Sequence, residues 1–134
     1  MTDTNPGQVI RVAAAVIVDA DDRVLLVRKR GTTTFMQPGG KIMSGETATE
    51  AVRREVTEEL GVAASETQQL GRHIAEAANE PGHLVDAELF LVSVEGQPYA
   101  AAEIDEIAWV DLAAPGDIEL APLTRVNVRD LLRR

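Results

Sequence analysis

The chain predicts an α/β fold in which a mixed β-sheet is sandwiched between helices, an α/β/α sandwich. Three observations carry this: strand-like runs that are apolar on both alternating faces, an early segment with an apolar residue every fourth position, and a second helical pattern near the C-terminal end. At 134 residues with no cysteine, the chain reads as a single domain over 1–134, long enough to bury about two thirds of its unfolded surface without disulfides.

Residues 1–8, with Asn5-Pro6-Gly7, read as a loose N-terminal tail. Val9 to Val18 is apolar on both faces, broken only by Arg11, as in a central strand covered on both sides. Asp19-Ala20-Asp21-Asp22 is a turn, and Val24 to Val27 returns as a second strand, followed by the basic cluster Arg28, Lys29 and Arg30. Residues 31–45 read as a loop rich in Thr and Gly that delivers the chain to the helix. That helix is predicted over Thr47 to Leu60, where Ala48, Val52, Val56 and Leu60 form an apolar stripe and Gly61 supplies the stop. Two extended segments follow, about Gln68 to Ala77 and Leu84 to Val94. They are joined by Asn79-Glu80-Pro81-Gly82, whose Pro-Gly pair suits the centre of a type II turn. A short strand at Ile107 to Val110 and a terminal helix over Pro122 to Leu132 complete the order.

Charge narrows the function classes. Twenty-two acidic residues against thirteen basic give a net charge of −9, which argues against binding polymeric nucleic acid. An anionic small molecule meets the same repulsion and needs cations or a local basic patch to enter. Without cysteine, a thiolate metal site and a cysteine nucleophile are excluded. No signal-like segment or membrane-length apolar run is visible, so a cytoplasmic protein with no membrane partner is expected.

The predicted helix carries its acids at the wrong end. Glu55, Glu58 and Glu59 lie at i, i+3 and i+4 and share a face spread over roughly 100°. Glu58 and Glu59 fall in the last turn, where each opposes the helix dipole by about 0.3–1 kcal/mol. The like pair Glu55/Glu59 adds about 0.2–0.5 kcal/mol of repulsion. A hard divalent cation removes the conflict, because such ions take carboxylate and carbonyl oxygens and bring substrate phosphates into their remaining positions. The competing reading is a solvated acidic face. Arg54, likewise, reads as the i+4 partner of Glu50.

The run from Gly40 to Val62, GKIMSGETATEAVRREVTEELGV, sets these residues in a longer pattern. Gly40, five residues, Glu46, seven residues, then Arg54-Glu55-Val56-any-Glu58-Glu59-any-Gly61-Val62 resembles the box of the Nudix (MutT-like) hydrolase family at every specified position. With each residue type at roughly one position in twenty, a chance match is on the order of 10⁻⁸. The resemblance implies a Nudix fold and a Mg²⁺-dependent hydrolase, with Mn²⁺ as a substitute. Such an enzyme cuts the diphosphate linkage of a nucleoside diphosphate joined to another moiety.

Carried over by position, the resemblance implies that Glu55, Glu58 and Glu59, with the carbonyl of Gly39, ligate the metal. Glu58 and Glu59 are the catalytic pair, and Arg54 braces the loop through Glu46. The general base is either a box glutamate or a late loop acid, here Glu106 with Glu103 in reserve. Gly39 and Gly40 let the main chain approach the ion without a side chain in the way. Lys41 beside the glycine pair, Arg28 and Arg30 at the distal end, and Phe35 as a stacking ring are the candidate substrate contacts. Trp109 is expected to anchor the sheet, and His73 and His83 to be structural or surface residues.

The expected partner is a small-molecule nucleoside diphosphate derivative, and homodimers are frequent in the family. A catalytically weak, nucleotide-sensing binding module on the same fold is the alternative, against which the complete box speaks. The substrate stays open. Ala77-Ala78 stands where relatives acting on ADP-ribose often have proline, and Leu120 to Arg125 lacks the asparagine of relatives that clean oxidised guanine nucleotides.

Overall fold

A computed structural model describes residues 7–133. The elements run β1 (Val9–Val16), β2 (Val24–Lys29), β3 (Phe35–Met36), β4 (Gly39–Lys41), α1 (Ala48–Leu60), β5 (Ala63–Glu76), β6 (Leu84–Glu95) and β7 (Ile104–Val110). A π-helical segment, Leu123–Val128, then runs directly into α2 (Arg129–Leu132). The expected mixed sheet is present in two hydrogen-bonded parts. One has the order β4-β1-β6-β5, with β1 and β6 parallel and the other pairings antiparallel, and the other is an antiparallel β3-β2-β7. Backbone bonds stitch the parts together, from the Ala15 N–H to the Pro38 carbonyl at 2.8 Å and from the Leu25 N–H to the Ile17 carbonyl at 2.9 Å.

Alternation along the central strands divides the core between two layers. Ala13 and Ala15 of β1, Leu25 and Val27 of β2, and Phe90 and Val92 of β6 pack with the α1 stripe of Ala51, Val52, Val56 and Leu60. The intervening residues Ala14, Val16, Val24, Leu26, Ala87 and Leu89 form the opposite cluster. That second cluster is closed by Leu123 and Val128 of the C-terminal helical segment. Strands apolar on both faces are buried on both faces, as the sequence predicts. Trp109 packs against the α1-side cluster, in its expected anchoring role.

Several expectations shift. The loop of residues 31–45 contains two short strands, because β3 pairs Met36 with Val27 and β4 pairs Gly39, Gly40 and Lys41 with Ala14, Ala13 and Val12. Strand β5 starts at Ala63 instead of near Gln68, and β7 starts at Ile104 instead of Ile107. The polar start of β5 hides its strand character, since it pairs only with β6 and is interrupted by register shifts at Ala64/Glu66 and Gln69/Gly71. The turn is as expected: Gly82 has φ +83° and the His83 N–H donates to the Glu80 carbonyl at 3.1 Å.

Of the tail expected over residues 1–8, residues 1–6 lie outside the described residues. The next two are tied to that turn, with the Gly7 N–H donating to the Gly82 carbonyl and the Gln8 carbonyl accepting from the Leu84 N–H. Among the described residues, no helix is long and apolar enough to cross a membrane.

Candidate metal and substrate site

Helix α1 begins with a reciprocal cap. The Thr47 hydroxyl accepts from the Glu50 N–H at 3.1 Å, and the Glu50 carboxylate accepts from the Thr47 N–H at 2.8 Å. Glu50 is thus spent on the cap, and Arg54 goes elsewhere. Its Nε and Nη2 donate to the Glu46 carboxylate at 2.7 and 3.0 Å, its Nη1 to Glu55 at 2.8 Å, and Nη2 also reaches the Lys41 carbonyl at 3.1 Å. One guanidinium therefore ties the helix to both ends of the segment that leads into it. Glu46, hydrogen-bonded first by Arg54 and then by the Met43 N–H, has its carboxyl held down to about 2.

At the other end of the helix the acids separate by depth. Glu58 stays outside, its side chain 53% exposed and 3.5 Å from Arg54. Glu59 turns inward with the apolar stripe and is 7% exposed. Its carboxylate accepts from the Gly39 N–H at 3.1 Å. Burial pushes that carboxyl up to about 8, against the pull of the Gly39 N–H and of Lys29 and with a further push from the charges of Glu55 and Glu58. Among the described residues, no three acidic or histidine side chains converge closely enough to grip an ion as they stand. Arg54 draws Glu55 aside while Gly39 holds Glu59.

Strand β4 meets this acidic face with glycines for a steric reason. A Cβ on Gly40 would lie 2.5 Å from a Glu55 carboxylate oxygen, and one on Gly39 would lie 2.3 Å from the Ala13 carbonyl oxygen. The glycine pair is thus pressed between β1 and the carboxylates. It also lines a cleft of about 140 Å³. The donor set suits a hard divalent ion: carboxylate oxygens on one helical face, one of them desolvated, beside main chain that no side chain shields.

The remaining predicted residues divide. Lys41 lines the cleft. Arg28 is turned away, donating to Asp105 at 2.9 Å, to Glu106 at 3.2 Å and to the Thr32 carbonyl at 2.9 Å. The guanidinium of Arg30 reaches the Ala102 carbonyl at 3.3 Å. Glu106 sits opposite Arg28 across the β2–β7 ladder and accepts from its guanidinium. Phe35, expected as a stacking ring, is buried in the cluster closed by Leu123, and its neighbour Met36 lines the cleft instead.

Sequence reasoning passed over Lys29, which lies on the cleft and acts electrostatically on Glu59. The period of two on β2 holds the signal, because Leu25 and Val27 point toward α1 and Lys29 continues their side. It also missed the buried polar residues Gln37 and Thr124, both on the cleft. His73 contacts Asn127 at 3.3 Å, a link between β5 and the π-helical segment.

A mixed sheet between helices, with this box folded as a loop and helix against a glycine strand, defines a Nudix-type protein. The chain belongs to that family: the NUDIX domain model matches residues 9–131. Members of the family act on phosphorus-containing acid anhydrides. It is similar to an ADP-ribose pyrophosphatase of Methanocaldococcus jannaschii, 30% identical over 75% of this chain and 62% of the relative, so the chain spans less than two thirds of that protein's length. It is equally similar, at 30% identity over 93% of both chains, to an 8-oxo-dGTP diphosphatase of Haemophilus influenzae. The solved structure of a MutT protein from Methanosarcina mazei Go1 superposes with a TM-score of 0.73 at 27% identity, covering 96% of this chain and 93% of that one.

Proposed function

We propose that the protein is a divalent-cation-dependent hydrolase, with Mg²⁺ as the working ion and Mn²⁺ as a substitute, that cuts the diphosphate linkage of a nucleoside diphosphate derivative. The glycine pair carries this reading: Gly39 and Gly40 have the Glu59 and Glu55 carboxylates on one side and a cleft of about 140 Å³ on the other. Glu55, Glu58 and Glu59 would hold the ion together with the Gly39 carbonyl. A bound cation there would neutralise diphosphate oxygens and lower the pKa of the attacking water.

The chain's own residues do the rest. Arg54 fixes the approach to the helix through Glu46, and so sets where Glu55 stands. Lys29 and Lys41 offer positive charge to phosphate at the cleft, which a protein of net charge −9 needs somewhere. Glu106 accepts from Arg28 through one carboxylate oxygen on β7, whereas Glu58 stands on the α1 face that carries Glu55 and Glu59. Glu58 is therefore the better-placed proton acceptor for the attacking water. The likeness to an 8-oxo-dGTP diphosphatase over 93% of both chains supports a nucleoside triphosphate among the candidate substrates.

The test is a hydrolysis panel with Mg²⁺, spanning canonical and oxidised nucleoside triphosphates, ADP-ribose, sugar nucleotides and dinucleoside polyphosphates. At least one should release phosphate, diphosphate or a nucleoside monophosphate. Glu58→Gln and Glu59→Gln should each lose about 100-fold or more of that activity, since even outer partners of a metal site cost about 10–100-fold. Turnover by both variants at the parent's rate would show that the box acids are not the site.

A further inference from the structure

The cleft beyond the glycine pair is small. Its volume of about 140 Å³ falls below the roughly 300–1,000 Å³ of sites that enclose a drug-sized ligand. It takes one part of a substrate and leaves the rest outside. Val12, Met36, Val85 and Leu123 give it apolar walls, which suit the faces of a flat ring.

Its two uncharged polar side chains are both buried: Gln37 is 5% exposed and Thr124 is fully buried. The Thr124 hydroxyl donates to the Gln37 Oε1 at 2.8 Å, and the Gln37 Nε2 donates to the Ala15 carbonyl at 2.9 Å. The Ala15 carbonyl fixes which way the amide points, because a flipped amide would set its oxygen against that carbonyl, while the Thr124 hydroxyl holds the amide in place. These bonds use fewer than half of the hydrogen-bonding positions the pair offers. One Nε2 hydrogen, one Oε1 lone pair and the Thr124 oxygen lone pairs have no further partner among the described residues. Polar groups held out of water in this way are costly unless something completes them.

Charge orients whatever enters. Lys29 and Lys41 stand with the glycine pair, while Glu76 and Glu80 line the same cleft from the β5–β6 hairpin and repel phosphate. We infer that Gln37, held in one orientation by the Ala15 carbonyl and steadied by Thr124, is the specificity-determining residue of this cleft and reads the hydrogen-bonding edge of an inserted nucleobase. This rests on the nucleotide-hydrolase reading above and deepens it: the enzyme selects its substrate by the base, through one fixed amide, and the anhydride stays outside near the box.

The test takes the best substrate of the hydrolysis panel and its analogues carrying the other common bases. It measures kcat/KM with Mg²⁺ for the parent, Gln37→Met and Thr124→Val. The parent should discriminate among the bases, and Gln37→Met should compress the best-to-worst ratio by about 10–100-fold, chiefly through the KM of the preferred base. Thr124→Val, nearly isosteric, should compress it less, and it still reads the ratio should Gln37→Met fail to fold. A merely structural role would lower all bases alike and leave the ratio unchanged, which overturns the inference. A parent that hydrolyses but does not discriminate also overturns it, with the hydrolase reading intact. A parent inactive on the whole panel removes that reading, and this inference with it.

Discussion

The two ends of α1 handle charge in opposite ways. At the N-terminal end each polar group is answered by a neighbour: Thr47 and Glu50 cap one another, and Arg54 takes Glu46 in two hydrogen bonds. The C-terminal end depends on distant chain. Its Glu59 and Leu60 carbonyls accept from the N–H groups of Ala101 and Tyr99, and Gly61, at φ +67°, bonds back to Thr57. A Cβ on Gly61 would lie 2.2 Å from the Tyr99 ring, so the helix stop and the docking of that segment need the same glycine. Into this end the sequence puts Glu58 and Glu59 and no basic residue. The first end holds the helix together and the second carries a stored electrostatic conflict, consistent with function set against stability.

Acidity should separate the two ends most clearly, because their carboxyls are shifted in opposite directions. Glu59 is raised from 4.5 to about 8, mainly by burial, so between those values the native state keeps a proton that the unfolded chain gives up. Its effect is absent below about pH 4.5, grows into a penalty as pH rises to 8, and is fully present above that, a cost of a few kcal/mol. Glu46, lowered from 4.5 to about 2 by Arg54, does the reverse: its support is complete above 4.5 and is lost as pH falls through 2. Thermal melts of chelator-treated protein should therefore show Glu59→Gln gaining on the parent steadily from pH 5 to pH 8, roughly the span over which burial shifts Glu59. Added Mg²⁺ should erase that gain. A constant difference across the range would mean that Glu59 does not titrate as its burial demands.

The glycine pair sharpens the comparison, because adjacent identical residues face different walls. Gly39→Ala drives a Cβ to 2.3 Å from the backbone oxygen of Ala13, which cannot yield without parting β4 from β1. About 1–3 kcal/mol of stability should be lost, as for other overpacked sites. Gly40→Ala meets first the end of Glu55, a side chain able to swing off Arg54. Its melting temperature should move little, while the Mg²⁺ concentration needed for half-maximal activity should rise. Equal melting losses for both variants would place Glu55 in a rigid structural role.

How much of this could be read beforehand follows from the range of each interaction. The helix, its glycine stop and the Pro81-Gly82 turn are set by residues close in sequence, and local pattern found them, whereas local spacing paired Arg54 with Glu50 and only the family resemblance implied its brace to Glu46. Strand β4 escaped notice because two glycines have no side-chain period, and they are a strand only by pairing with β1. Phe35 and Met36 are consecutive, so which one faces the cleft depends on the register of β3 against β2. Arg28 and Lys29 divide in the same way, one toward β7 and the other toward Glu59. The Gln37–Thr124 pair spans 87 residues, and nothing in either neighbourhood signals that both will be buried.

Thr47→Ala probes the quiet end and should have the smallest effect. Removing the hydroxyl leaves the Glu50 N–H without its acceptor and undoes half of the reciprocal cap, at a cost of about 1 kcal/mol. Freed from that geometry, Glu50 becomes available to Arg54 at i+4, the pairing that the cap now prevents. If the two ends of the helix are as separate as their contacts indicate, the variant should melt lower yet keep the parent's KM and Mg²⁺ requirement. Should activity fall out of proportion to stability, Arg54 has been drawn toward Glu50 and away from Glu46 and Glu55, and the N-terminal cap would count among the residues that position the acids.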